Sequence, residues 1–542
     1  MDLETYQLFH SARQCFQQGN YPDAISLCGQ LLQKQADFPD AYNLLGIIAK
    51  TQGNFPEAKQ YFQQGLSFNP HHIYLLNSLG ALLIDEDLDA AEACLMQAVR
   101  LNKDFVNALY NLSSIKSKQG KYAEAVSLLH QVLQLTPENA EALANLSQIE
   151  EKQNNLEQAK IHAEKALSLN SHLFIPRLVL SYIEFRQENF QNAIDSLIPI
   201  FNSQVQLTVV NYSLAVGQIA NAYDKLKQFS LAFEHYKMSN EALLSIYHSI
   251  YAESTGIYSP SYLQKQETLI RNFCIEKWLV EDEFNSDENY PAPVFLLGFP
   301  RSGTTLLEQM LSAHSRLTTL EEQETFIDIY SEHHLETFNL DQLANMSPQQ
   351  IAHFREKYWE RVSQHISIRE GEVLIDKLPL NSAMLVYIYR LFPKAKIIFC
   401  VRDPRDVALS CYQQRFEMNT AMYQFLELGS TVNYYKTVMQ LAKTTLEKFP
   451  FNCYFNHYQD IVDDHSIQLK KIIEFLELNW EDEVLNYRKK SNQNLINTPS
   501  NRQVVKKIYK TAINKWKNYQ PFIHDELDAL EKWVKYWGYT ES

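Results

Sequence analysis

Residues 294–310, VFLLGFPRSGTTLLEQM, join an apolar run to a helical pattern through Gly-Phe-Pro-Arg-Ser-Gly-Thr-Thr, and the chemistry this segment suits is the holding of an anion. Gly298 and Gly303 let the backbone turn tightly. The successive N–H groups through Ser302, Gly303, Thr304 and Thr305 point inward, and the helix that begins at the threonines presents its positive end. Arg301 adds a full positive charge to the same loop. A nucleoside triphosphate fits poorly. Threonine stands where the pattern GxxxxGK[ST] requires lysine, and no clear metal-binding aspartate follows a second strand. Magnesium-dependent phosphoryl transfer thereby loses both its charge clamps, which leaves a ligand neutralised by arginine and backbone.

Three later segments carry residues that can do chemistry, two of them at the end of an apolar stretch. KIIFCVRDPRDVALS, residues 396–410, runs a strand pattern into Arg402 and, eight positions on, Ser410 in the first turns of a helix. Those two can donate to one anion from two sides. VLIDKLPLN ends a short strand on Lys377, at the crevice where open α/β sheets bind ligands. LTTLEEQETF holds Glu322, 21 residues after Arg301 and flanked by Glu321 and Glu324. Glutamates near a helix start commonly cap or face solvent, so all three stay in contention on composition.

Taken together, these segments resemble the sulfotransferases that use 3′-phosphoadenosine-5′-phosphosulfate (PAPS), in particular the protein-tyrosine sulfotransferase branch, over about residues 290–542. The resemblance makes Arg301, Ser302, Gly303, Thr304 and Thr305 the 5′-phosphosulfate loop, and Arg402 with Ser410 the grip on the 3′-phosphate. It makes Glu322 the catalytic base and Lys377 the lysine that stabilises the transition state. Tyr458 in CYFNHYQDIV matches a tyrosine that contacts the cofactor, while Ser500, opening SNRQVVKKIY, and Lys515 in INKW match the last cofactor contacts. Ser500 also joins Lys377 and Arg301 in stabilising the charge of the leaving oxygen. One departure stands out: the family tends to carry another phosphate-binding arginine where this chain has Gln414, with Arg415 one step along. No metal is implied. A carboxylate of pKa about 4.3 deprotonates a phenol of pKa about 10 more easily than an alkyl alcohol, so the preferred acceptor is a tyrosine or other phenolic hydroxyl. Sulfation of a sugar or small-molecule hydroxyl, and a catalytically weak repeat scaffold, are the alternatives.

The elements that must position these residues read as an α/β domain. Short apolar strands near 294–297, 372–376, 396–401 and 453–457 alternate with helical stretches, the pattern of a mostly parallel sheet in a P-loop-like sulfotransferase domain spanning 291–542. Ahead of it the chain repeats itself. Alanines at 24, 58, 91, 125, 159, 193 and 232 recur at steps of 34, 33, 34, 34, 34 and 39, each inside a pattern such as GNFPEAKQYF. That is the tetratricopeptide repeat. About seven copies are expected over 1–239 as an α-solenoid, the seventh carrying an insertion, with a helical connector over 240–290. Such a solenoid suits a peptide or protein partner.

Composition agrees with a large folded chain. Its 542 residues leave room for two or three domains, and 45% hydrophobic residues can fill their cores. No apolar stretch approaches the roughly 18 to 20 residues of a membrane span. The start, MDLETYQLFHSARQ, lacks a signal-like segment, so a cytoplasmic location is expected. Seven widely spaced cysteines suggest reduced core thiols rather than disulfides or a zinc site. A net charge of −15 disfavours a nucleic-acid partner. Arg502 to Lys517 reverses that balance with six basic residues and no acidic one. The run reads equally as a solvated helix face or as a cationic flap over an anionic cofactor.

Overall fold

A computed structural model describes residues 3–202, 207–278, 292–332, 339–487 and 512–539. The chain divides into two compact units, Met1–Gln206 and Leu207–Ser542.

The first unit is a run of paired helices, from Leu3–Gln17 with Tyr21–Lys34 to Phe174–Arg186 with Phe190–Asp195. Each repeat sets its own turn. Asn20, Asn54 and Asp87 cap second helices of three pairs, their side chains accepting the N–H of the residue three positions on. The residue before the turn's cap is left-handed at Gly19, Gly53 and Gly120, and also at Asn154 and Glu188. The repeating alanines from Ala24 to Ala193 are at most 1% exposed, which is why no larger side chain replaces them. Gly46 packs directly on the Phe62 ring, where a methyl group would lie 2.3 Å from Cε1. Consecutive repeats are also stitched by polar contacts, such as Asn111 Nδ2 donating to Asn77 Oδ1 at 2.9 Å.

In the second unit, five strands form one wholly parallel sheet. They are β1 (Val294–Gly298), β2 (Leu317–Glu321), β3 (Val373–Lys377), β4 (Lys396–Val401) and β5 (Asn452–His457), in the order β2-β3-β1-β4-β5. Alternation splits the core into two layers. Phe295 and Leu297 of β1 join Ile397 and Phe399 of β4 on one face. Val294 and Leu296 join Ile375, Ile398 and Cys400 on the other. The second face is covered by Leu307, Met310 and Leu311 of helix Thr304–Leu311 and by Ile461, Leu469 and Ile472 of helix Tyr458–Phe475. With β1 central and parallel neighbours on both sides, every strand delivers its C-terminal end to the same edge.

Two elements differ from the sequence expectation. β2 was not expected as a strand, and its end carries Glu321, so the adjoining glutamates follow a strand rather than start a helix. Helices Val209–Lys225 and Phe229–Tyr251 carry the last repeat-like pattern, yet they lie in the second unit, ahead of the boundary expected at 239. Ala232 and Tyr236 join that unit's main core, which explains the assignment. All seven cysteines are free thiols; Cys28, Cys400 and Cys411 are buried, whereas Cys274 is exposed. No helix among the described residues is long and apolar enough to cross a membrane.

Candidate functional site

The loop after β1 is built on backbone that ordinary residues avoid. Gly298 has φ 153° and Gly303 φ 100°, and a methyl group at 298 would lie 2.6 Å from the Cys400 carbonyl oxygen. At 303 it would lie 2.6 Å from Tyr458 Cδ2, so the loop is pressed against that ring. Arg301 itself is left-handed at φ 71°. Strain of this kind costs about 1–3 kcal/mol and survives where surrounding structure over-determines it, commonly at functional sites. Ser302, Thr304 and Thr305 are buried, and the Ser302 hydroxyl has no hydrogen-bond partner among the described residues.

β4 brings the second cation. Arg402 lies 4.9 Å from the Tyr458 ring centroid and donates through Nη1 to the Arg301 carbonyl at 3.1 Å. Its Nη2 donates to the Ala512 carbonyl at 2.6 Å, while its buried Nε has no partner among the described residues. Asp406, 3.9 Å from Arg402, accepts the backbone N–H groups of Asn514 and Trp516. Arg301 Nε donates to Ser410 Oγ at 3.1 Å, so the loop arginine and the helix serine already meet. Tyr458 follows β5 directly; burial raises its hydroxyl pKa, which Arg402 and Arg301 oppose.

β2 and β3 supply a charge cluster. Lys377, fully buried, donates to Glu322 Oε1 at 2.8 Å and lies 3.2 Å from Glu308 and 3.9 Å from Glu321. Burial pulls its ammonium pKa down, but Glu308, Glu322 and Glu321 outweigh that and leave it raised. Glu322 is left-handed at φ 47°, and its side chain is one-third exposed where Lys377 is not exposed at all. Asp376, one residue before Lys377, is buried beneath; its Oδ2 accepts from Thr325 Oγ1 at 2.8 Å and Tyr358 OH at 2.9 Å. Burial pushes its pKa up to about 6 against those two hydrogen bonds.

The structure therefore brings Arg301, Ser302, Gly303, Thr304, Thr305, Arg402, Ser410 and Tyr458 around one loop, and Glu322 beside Lys377. Lys515, close enough to feel the Arg402 charge, donates to Gln413 Oε1 at 2.8 Å and pairs with Asp224 at 3.0 Å. Burial lowers its pKa, partly offset by Asp224. Arg415 is engaged with the Val210 carbonyl and Ser213 of helix Val209–Lys225. Ser500 and most of the basic run 502–517 lie outside the described residues. Sequence reasoning missed Glu308, which is 1% exposed behind Lys377. The signal was present: it is the one charged residue in the helix TTLLEQML.

This geometry, a parallel sheet with an anion loop after its central strand and cations at neighbouring strand ends, defines the class. Residues 293–482 match the model of the sulfotransferase family, and 16–83 and 116–170 match the tetratricopeptide repeat. The chain thus joins tetratricopeptide repeats to a sulfotransferase-family domain. An uncharacterized protein of Aquifex aeolicus (strain VF5) is 30% identical over 253 residues, 45% of this chain and 33% of that protein. Protein-tyrosine sulfotransferase A of Caenorhabditis elegans is 25% identical over 289 residues, 47% of this chain and 70% of that enzyme. The protein-tyrosine sulfotransferase of Drosophila melanogaster is 26% identical over 271 residues, 45% of this chain and 50% of the enzyme. The chain thus spans between a third and about two-thirds of these relatives' length.

Proposed function

We propose that the second unit transfers the sulfuryl group of PAPS to a hydroxyl acceptor, a phenolic or tyrosine hydroxyl of a peptide or protein recruited by the repeats. The observation that carries this reading is that each of the five strands ends on a residue of the site. β1 leads into the Arg301 loop, β2 into Glu322, β3 ends on Lys377, and β4 and β5 lead into Arg402 and Tyr458. The residues fit a polyanionic donor. The buried Ser302 hydroxyl and Arg402 Nε are donors left without partners among the described residues, beside a loop whose glycines 298 and 303 leave no room for a side chain. When bound, PAPS supplies a sulfuryl group attached to a phosphate oxygen that can leave.

The side chains divide the remaining work. Arg301 and the N–H groups through Thr305 hold the 5′-end of the donor, and Arg402 and Ser410 hold the 3′-phosphate. Glu322 takes the acceptor's proton on its carboxylate as the acceptor oxygen attacks sulfur. Lys377 remains protonated and stabilises the negative charge that grows on the leaving oxygen. Burial makes that charge worth more than in water. The relatives that are protein-tyrosine sulfotransferases by name support a phenolic acceptor.

Calorimetric titration tests the donor half: adenosine 3′,5′-bisphosphate should bind without magnesium and far more tightly than AMP. Equal affinities would overturn the assignment. Transfer from PAPS to a panel of phenols, tyrosyl peptides and sugars tests the acceptor half, and a full chain that sulfates none of them favours the scaffold reading.

A further inference from the structure

Glu308 has no part in the scheme above, yet it is a buried acid in direct contact with Lys377. It lies one helical turn after Thr304 on the helix that opens the anion loop, so Glu308 and Thr304 share a face. Its carboxylate is 1% exposed, and 3.2 Å away is the fully buried Lys377 ammonium. Glu322 and Glu321, both at the end of β2, meet that ammonium from the more exposed side at 2.8 and 3.9 Å. Lys377 therefore has one carboxylate behind it and two in front. Asp376 is the remaining charged neighbour on its own strand.

The two sides have different obligations. If Glu322 accepts the acceptor's proton, it loses its charge during the reaction, and Lys377 loses its nearest partner while still buried. A buried ammonium without a partner favours its neutral form. A neutral amine cannot stabilise a leaving phosphate oxygen in the same way.

We infer that Glu308 is a positioning residue that keeps Lys377 charged and aimed at the crevice while Glu322 is neutralised by the acceptor. The inference rests on the sulfotransferase reading for its purpose, but the Glu308–Lys377 coupling itself is a property of the folded chain. Burial first, with Glu321 and Glu322 adding to it and Lys377 opposing, pushes the Glu308 pKa up to about 7. It thus ionises across neutrality and becomes easier to ionise once Glu322 is protonated, because one facing negative charge has gone.

The test uses Glu308→Gln in the full chain, which keeps the size and removes the charge. kcat with a phenolic acceptor should fall about 10- to 100-fold, the scale of a displaced catalytic group, while affinity for adenosine 3′,5′-bisphosphate stays within about twofold. In lysine-15N-labelled protein, the Lys377 Nζ resonance should titrate about one unit lower or more in the variant. An unchanged Lys377 midpoint, or kcat within about twofold of wild type, overturns the inference. Should the variant fail to fold, wild type alone decides: its Lys377 resonance should shift with a midpoint near the Glu308 value of about 7, and a flat response there overturns the coupling. A wild type that transfers no sulfuryl group sinks the proposed function without touching the resonance measurement, so the two failures are read separately.

Discussion

Glu322 and Lys377 hold each other twice: the Glu322 N–H donates to the Lys377 carbonyl at 2.8 Å, and the Lys377 ammonium donates to Glu322 Oε1 at 2.8 Å. The first bond carries the β2–β3 ladder one residue beyond the Glu321 and Lys377 pair. The second uses the left-handed turn at Glu322 to bring its side chain back over the strand end. A carboxylate and a buried ammonium, the proposed base and the proposed charge-stabilising lysine, are thereby fixed on one scaffold.

The relationship separates Glu322 from its neighbours. Glu322→Gln should lower turnover by about 10² to 10⁴ while affinity for adenosine 3′,5′-bisphosphate barely moves, since the proposed function assigns the residue to the acceptor and not to the donor. Steady-state kinetics on a phenolic acceptor check this. Glu321, farther from Lys377 at 3.9 Å, should give the smaller loss as Glu321→Gln, and the reverse order would name Glu321 as the base.

Arg402 predicts the ligand's identity. Its buried Nε is without a partner among the described residues, and hydrogen bonds to charged groups contribute about 1.5–3 kcal/mol each. Arg402→Ala should therefore cost about tenfold to about a hundredfold in affinity for adenosine 3′,5′-bisphosphate and leave AMP binding little changed. Parallel titrations of both ligands decide it; an equal loss for both would mean that Arg402 holds the loop through the Arg301 carbonyl rather than the 3′-phosphate.

Gly303→Ala strains the loop twice, through φ 100° and through the 2.6 Å approach to Tyr458. A destabilisation of about 1–3 kcal/mol is expected, together with weaker donor binding as the loop moves off the ring. Every one of the six tryptophans, the first being Trp278, lies in the second unit, so tryptophan fluorescence during chemical unfolding reads that unit separately. Unchanged stability and affinity would show that the Tyr458 ring yields freely.

Much of this was legible because burial enforces it. The alanine period survives since each copy packs at the same 0–1% exposure, and the Arg301 loop and Arg402 were visible because β1 and β4 before them are apolar and buried on both faces. β2 was hidden: as an edge strand with Thr318 and Thr319 partly exposed, it reads as a polar loop. Glu308 was hidden for the opposite reason, since an acid in a short amphipathic helix looks like surface until the fold places Lys377 beneath it. The last helix pair looks like one more repeat because its local packing rules are the same, with Lys227 still left-handed at the turn; only its long-range partners, Arg415, Lys515 and Tyr519, reveal the second unit.

Asp376 makes stability depend on pH. Its folded pKa of about 6 exceeds the reference value of 3.8, so the neutral form suits the fold. The contribution is present in full below the unfolded pKa and is lost as pH rises from about 4 through about 6. Asp376→Asn should flatten that part of the profile and stabilise the second unit at pH 7.5, with a ceiling of about 3 kcal/mol. Urea unfolding at several pH values measures it, and a variant that retains the wild-type slope would assign the dependence to other groups.

The division at 206/207 gives the last prediction. Helix Phe229–Tyr251 lays Phe229 and Phe233 against Tyr412, Tyr519 and Phe522, while Asp224 accepts from Tyr519 OH at 2.5 Å and pairs with Lys515. A fragment of residues 207–542 keeps these contacts, whereas a fragment of 240–542 cuts through the helix and bares the aromatic face. The longer fragment should unfold cooperatively by circular dichroism and tryptophan fluorescence and bind adenosine 3′,5′-bisphosphate like the full chain; the shorter should be destabilised or aggregate. If the repeats hold the acceptor, joining them to the catalytic unit raises its effective concentration without changing the chemistry. The 207–542 fragment should then sulfate a simple phenol with unchanged kcat but show a raised KM toward a peptide acceptor. An unchanged peptide KM would free the repeats from substrate binding and point them to assembly with another protein.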